Sequence, residues 1–124
     1  MTLQSPLRRY DRPIGHDQPI VITWEPQLPR TQFRRRALEQ ATILQVSPNG
    51  ALVRARTNLD ITRSTRVSIG RGADRGLVAV RRIEATSDAA MSHYGVQFLW
   101  LDPTIQALLD KAVSTDTQFH FEWR

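Results

Sequence analysis

Three arginines near the N-terminus have the chemistry that an anion-binding site needs. Arg8, Arg9 and Arg12 lie in a short segment bounded by Pro6 and Pro13. Each guanidinium is planar, always charged and able to hold a phosphate through two parallel hydrogen bonds. Because proline at both ends disfavours a helix, we expect an extended arm here. The sequence therefore predicts an arginine-rich arm that binds an anionic ligand.

The charge of the whole chain indicates the same class of ligand. All but one of its 17 basic residues are arginine, Lys111 being the exception, and the formal net charge is +5. A basic protein concentrates nucleic acids, nucleotides and anionic lipids around itself. A genome whose base composition favours arginine codons produces the same bias, so charge alone identifies no ligand.

A tight turn is predicted at residues 47–50, Ser-Pro-Asn-Gly, between two segments of alternating hydrophobicity. Pro48 fixes φ at the second position of the turn, and Asn49 and Gly50 suit the positions that follow. A turn of this kind holds its polar groups at a fixed place between two strands.

Residues for catalysis or metal binding are not found in a recognisable pattern. The chain has no cysteine, which excludes disulfides, thiol catalysis and thiolate metal sites. His16, His93 and His120 are far apart and lack metal-ligand spacing. The glycines within residues 70–76 miss the spacing of a dinucleotide-binding loop and precede a strand. We expect no enzyme activity, no metal and no cofactor.

Alternating hydrophobicity predicts six short strands, at residues 19–25, 37–46, 51–56, 65–69, 77–85 and 94–101. The alternation of the second strand is imperfect around Ile43 and Leu44. Residues 70–76 are expected to be a connecting loop, and the last two strands are expected to pair as a hairpin. The last strand has an aromatic face that we expect to lie in the core, made of Tyr94, Val96, Phe98 and Trp100.

One helix is predicted, beginning at Asp102-Pro103, because aspartate suits the cap and proline the first helical position. Its apolar stripe is made of Ile105, Leu108, Leu109 and Ala112. Six short strands with one helix predict an all-β protein: a small six-stranded barrel, closed or nearly closed, with the C-terminal helix packed at an opening.

The chain is expected to be one domain with two extensions. Residues 1–17 are predicted to be a flexible arm, residues 18–113 the barrel with its helix, and residues 114–124 a C-terminal extension. In that extension, residues 119–124 alternate as a strand does. No apolar run approaches the about 20 residues that span a bilayer. We expect a cytoplasmic protein with no membrane insertion, as a monomer or weak dimer.

Two of these features together resemble the PilZ domain family. Arg8 and Arg12 form an R-x-x-x-R spacing before the first strand. The same spacing occurs at residues 30–34 and 71–75, but only the first pair has the family's position. The segment Gln45-Val-Ser47-Pro-Asn-Gly50 resembles the family's D/N-x-S-x-x-G turn. The resemblance extends over residues 7–113, including two arginines near the end of the fifth strand, the Tyr-Gly-Val-Gln-Phe strand and the helix.

The resemblance implies a PilZ-like barrel that binds cyclic di-GMP, a bacterial second messenger, and relays the signal to a protein partner in motility, biofilm or pilus processes. Arg8 and Arg12 would hold phosphates and guanine edges, with Arg9 assisting. Gln45 and Ser47 would contact a guanine. Asn49 and Gly50 would complete the ligand-binding turn, Gly50 letting the backbone approach the base.

One departure and two alternatives accompany this interpretation. Gln45 stands where the family has aspartate or asparagine, and an amide offers one acceptor where a carboxylate offers two. The chain could therefore be a degenerate PilZ adaptor that binds protein partners without a nucleotide. A small nucleic-acid-binding barrel, using the arginines at residues 34–36, is less supported. Its strands lack the exposed aromatic residues, interleaved with basic ones, on which single-strand binders stack bases.

Overall fold

The computed structural model describes residues 19–28 and 39–115. Six antiparallel strands close a barrel in the order β1-β2-β3-β6-β5-β4. The elements are β1 (Ile20–Pro26), β2 (Glu39–Ser47), β3 (Gly50–Arg56), β4 (Arg66–Arg71), β5 (Asp74–Ala85), β6 (Met91–Leu101) and α1 (Pro103–Thr115). The predicted fold class, a small six-stranded barrel with one C-terminal helix, is confirmed. The predicted arm (1–17) and the predicted strand at 119–124 lie outside the described residues.

The core of the barrel consists of the alternate side chains that point inward from each strand. Ile20, Ile22 and Trp24 are buried along β1, as their alternation predicts. Trp24 packs against Tyr94 of β6, with ring centroids 5.4 Å apart and a tilt of 34°. Both rings are almost completely buried. This aromatic pair therefore links two strands that are not neighbours in the sheet.

The helix closes one opening of the barrel. Its predicted stripe is buried, with Ile105, Leu109 and Ala112 in the core and Leu108 packed against it. The helix contacts β2 and β5, which lie on opposite sides of the ring of strands. It must therefore lie across the opening, as predicted. Asp102 anchors the start of the helix to β5, because its carboxylate Oδ2 accepts a 2.7 Å hydrogen bond from the backbone N–H of Arg75.

The connection between β4 and β5 is shorter than the loop predicted at residues 70–76. Strands β4 and β5 continue to Arg71 and from Asp74, so only two residues form the turn between them. Gly72 has a φ of +63°, which a glycine adopts at low cost. A Cβ on Gly76 would lie 2.7 Å from Leu101 Cδ2. These glycines therefore serve a tight hairpin and its packing.

The prediction that Trp100 lies in the core is also wrong. In the β5–β6 pairing, Val78 lies opposite Phe98, but Leu77 lies opposite Trp100. Leu99 is thus an extra residue in β6, a β-bulge that moves the following side chain to the other face. Phe98 packs against the core, whereas Trp100 is 51% exposed.

The two tryptophans should respond differently to truncation. Trp24→Ala should lower the free energy of unfolding by about 3–5 kcal/mol, because it empties a buried site. Trp100→Ala, the matched control, should cost about 1 kcal/mol or less. Urea unfolding of both variants, compared at similar m values, measures the difference. Equal losses would contradict the outward position of Trp100.

Candidate functional site

The Ser-Pro-Asn-Gly segment forms the predicted turn between β2 and β3. Ser47 lies opposite Gly50 in the strand pairing, with exposed Pro48 and Asn49 between them. Ser47 Oγ donates a 3.3 Å hydrogen bond to the Gly50 carbonyl. The Asn49 carbonyl accepts a 2.9 Å bond from the Phe98 N–H of β6. The turn is therefore fixed both to its own strands and to the neighbouring strand.

A β-bulge in β2 determines where Gln45 points. Ile43 lies opposite Val53, but Gln45 lies opposite Leu52, so Leu44 is an extra residue. Residues directly opposite in an antiparallel pair share a face. Val53 belongs to the core cluster, so Leu52 and Gln45 lie on the outside of the barrel. The imperfect alternation around residues 43 and 44 was the sequence signal of this bulge.

Gln45 is on the outside and is nevertheless buried. Its side chain is 2% exposed, and no hydrogen-bond partner of its Oε1 is found in the described part of the chain. Ser47, two residues further on, is also buried. A buried acceptor without a partner costs about 1–3 kcal/mol, and such groups in folded proteins call for an explanation. Chemically, this oxygen is an acceptor for an N–H or O–H group.

The surroundings of Gln45 form a continuous surface across four strands. Two lines of laterally paired residues cross β2, β3, β6 and β5 on the outside of the barrel. We call these eight residues the outer patch: Gln45, Leu52, Gly95 and Arg82 in one line, and Ser47, Gly50, Gln97 and Ala79 in the other. Leu52 (5% exposed) and Ala79 (3% exposed) are buried but are not part of the core cluster. The outer patch therefore has an apolar, small-residue floor with polar groups at both sides.

Arg81 lies at the β5 side of this patch and was not among the predicted site residues. The pairing with β6 shifts between Val80 and Arg82, so Arg81 is the extra residue of another bulge. Its Nε donates a 2.8 Å hydrogen bond to Gln97 Oε1. The sequence signal was the pair of adjacent arginines, Arg81 and Arg82, near the end of the fifth strand. The strand pairing places this pair across β6 from the turn, on the other side of the outer patch.

The predicted site residues divide into two groups. Gln45, Ser47, Asn49 and Gly50 are brought together by the hairpin, with Asn49 exposed and the others buried. The three arginines of the predicted arm lie outside the described residues.

Within residues 19–28 and 39–115, no group of three potential metal ligands occurs. In the same ranges, no helix has the length and apolar character needed to cross a membrane.

Fold and site together define a class: a closed antiparallel barrel with a polar-sided patch on its outer wall. No protein-family model matches the sequence, and no curated protein matches it either.

The unpartnered Oε1 of Gln45 leads to a prediction about stability. Gln45→Met should raise the free energy of unfolding by about 1 kcal/mol, because it removes a buried acceptor at nearly constant volume. Gln97→Met is the matched control, since its amide oxygen already accepts from Arg81, and it should give no gain. Urea unfolding at neutral pH measures both. A loss of stability in Gln45→Met would mean that the amide is satisfied in the folded protein.

Proposed function

We propose that this protein is a bacterial receptor for cyclic di-GMP, a PilZ-type barrel that relays the signal to a protein partner. The ligand would be held between Arg8, Arg9 and Arg12 and the outer patch. The observation that carries the proposal is the buried, unpartnered Oε1 of Gln45 beside the serine turn. This oxygen is a hydrogen-bond acceptor at the position where the resemblance to PilZ domains implies a contact with guanine.

The chemistry of the patch suits a purine dinucleotide. A guanine offers adjacent N–H donors and a carbonyl acceptor, and an amide can accept from the first and donate to the second. Leu52, Gly95 and Ala79 give a small apolar floor on which a flat base can lie. The guanidinium groups of the arm would pair with the phosphates or fork onto guanine. Each part of the ligand thus has a matching group.

Burial of the patch supports a mechanism for signal relay. Gln45 and Ser47 are buried in the free protein, so we expect their local surroundings to change when a ligand contacts them. Binding would therefore change the surface around the turn. A protein effector that recognises the changed surface would receive the signal, in processes such as motility, biofilm formation or pilus assembly. We expect this to take place in the cytoplasm.

A second candidate is a degenerate PilZ adaptor that binds protein partners without a nucleotide. Two observations favour it: Gln45 replaces the family's aspartate or asparagine, and the patch is closed. The exposed Leu99 and Trp100 on β6 would give such an adaptor an aromatic contact of the kind that protein interfaces prefer.

Thermal unfolding with and without cyclic di-GMP separates the two candidates. A ligand at 100 times its dissociation constant stabilises the folded state by about 2.7 kcal/mol. For a domain of about 100 residues, this corresponds to a rise in Tm on the order of 10 °C. GTP at the same concentration is the control and should give no comparable rise. An unchanged Tm at millimolar cyclic di-GMP would favour the adaptor.

The arm is tested by Arg12→Ala. The change removes charged hydrogen bonds of about 1.5–3 kcal/mol each, so cyclic di-GMP should bind roughly 10- to 150-fold more weakly. Arg71→Ala is the matched control: this arginine is exposed on β4, outside the outer patch, and its loss should leave the affinity unchanged. Titration calorimetry gives both values. If the two variants bind alike, the arm does not hold the ligand.

A further inference from the structure

The outer wall of β5 and β6 presents exposed apolar side chains beside the bulge in β6. Leu99 is the extra residue of that bulge, and Leu77 lies opposite Trp100. Leu99 is 39% exposed and Trp100 is 51% exposed, while Leu77 is half-buried. In the regular alternation of Val96 and Phe98, Trp100 would point into the core. Because an extra residue re-aims the side chains that follow it, the bulge places this tryptophan on the surface.

Two arginines lie on either side of this apolar group. On β5, Arg75 precedes Leu77 by two residues and so shares its face. On β4, Arg66 lies opposite Ala79, which follows Leu77 by two residues. Two residues along a strand span about 7 Å, so both guanidinium groups are within reach of a molecule that lies on Leu77 and Trp100. We call this surface the docking face; its residues are Arg66, Arg75, Leu77, Leu99 and Trp100.

The exposed charges of the docking face are positive. Both arginines are exposed, and neither forms an ion pair with another described residue. The Nη1 of Arg75 donates 2.9 Å hydrogen bonds to the carbonyls of Gly72 and Asp74, and these neutral acceptors do not cancel its charge. Carboxylates of Glu25, Asp74 and Asp102 lie in the same part of the barrel, but all three residues are half-buried. A partner that approaches from solvent therefore meets guanidinium groups first.

We propose that the docking face binds an acidic segment of a partner protein, in which carboxylates lie next to an apolar side chain. The apolar side chain packs on Leu99 and Trp100, and the carboxylates pair with Arg66 and Arg75. Tryptophan and arginine are the residues that most often dominate the energy of protein interfaces. This inference rests on the part of the proposed function that the receptor and the adaptor share, which is a protein partner.

Two other occupants fit the docking face less well. A second copy of the chain would bring its own arginines close to these, and like charges across an interface are unfavourable. A single-stranded nucleic acid is anionic, but such strands stack successive bases on several aromatic rings. Among its residues the docking face has one ring, that of Trp100.

The test begins with a phage-displayed library of random short peptides, selected on the full chain. Peptides whose binding requires Trp100 should carry aspartate or glutamate next to aromatic or aliphatic residues. With these peptides in fluorescence anisotropy, Trp100→Ala should weaken binding by about 30-fold or more, as truncation of a dominant interface residue does. Leu59→Ala is the matched control, because Leu59 is 91% exposed in the loop after β3, outside the docking face. It should bind as the wild type does.

A charge reversal tests the arginines. Arg66→Glu should weaken binding of the same peptides several-fold, mainly through slower association, and should reduce its dependence on salt. Arg56→Glu changes the net charge equally at an exposed position of β3 and should leave the affinity unchanged. Equal losses in the two variants would mean that only the net charge matters. The Tm of each variant without peptide reports whether the fold is intact.

The outcomes that overturn the inference differ from those that overturn the proposed function. The inference fails if no selected peptide depends on Trp100, or if the dependent peptides lack acidic residues. Binding of oligothymidylate that requires Trp100 would assign the face to nucleic acid, and self-association lost in Trp100→Ala would assign it to a second copy. Cyclic di-GMP should raise the Tm of Trp100→Ala as it does that of the wild type. If it raises neither, the receptor fails and the docking face stands, because the adaptor also needs a partner.

Discussion

The interior of a six-stranded barrel is narrow, and this constraint determines where the protein can bind anything. A barrel of eight strands is only just wide enough to be filled by its own side chains. With six strands, the interior is occupied by the core residues, including the stacked rings of Trp24 and Tyr94, and the helix closes one opening. Binding groups must therefore lie outside the core, and alternate residues of neighbouring strands provide such a surface on the outer wall. The outer patch is such a surface.

Two β-bulges determine which side chains of β2 and β5 lie on the outer wall. Without the extra residue at Leu44, Gln45 would continue the inward alternation of Ala41 and Ile43, and its amide would face the core. With the bulge, Gln45 lies outside, in line with Leu52. The bulge in β5 acts in the same way on Arg82, which would otherwise continue the inward alternation of Val78 and Val80. Two local irregularities on opposite sides of the patch thus place an acceptor at one side and a cation at the other.

The same bulges explain how far the sequence could predict the structure. Alternation predicted all six strands, the helix and its buried stripe, because these depend on hydrophobic burial at a regular period. A bulge shifts the alternation of inward and outward side chains by one residue. In the sequence it leaves only a weak irregularity of the hydrophobic pattern, as around Ile43 and Leu44. Trp100 was therefore predicted to lie in the core, and the extra residue at Arg81, inside the predicted strand at 77–85, was not predicted. The turn was predictable because proline, asparagine and glycine restrict the backbone locally.

Gln45 combines a cost in stability with a place in the proposed site. Two other buried groups in the described residues also have no hydrogen-bond partner, Trp24 Nε1 and Arg54 Nε. Trp24 lies in the closed core, where no ligand can reach it, and Arg54 has its charge near Asp88, at 3.7 Å. Arg54 also faces outward, but its side chain is 43% exposed. Gln45 differs in that its whole side chain is buried on the outer wall, beside a turn with polar groups. Local violations of good packing tend to mark functional sites. An acceptor that is unsatisfied in the free protein also favours binding, because a ligand that donates to it removes an existing cost and adds a new bond.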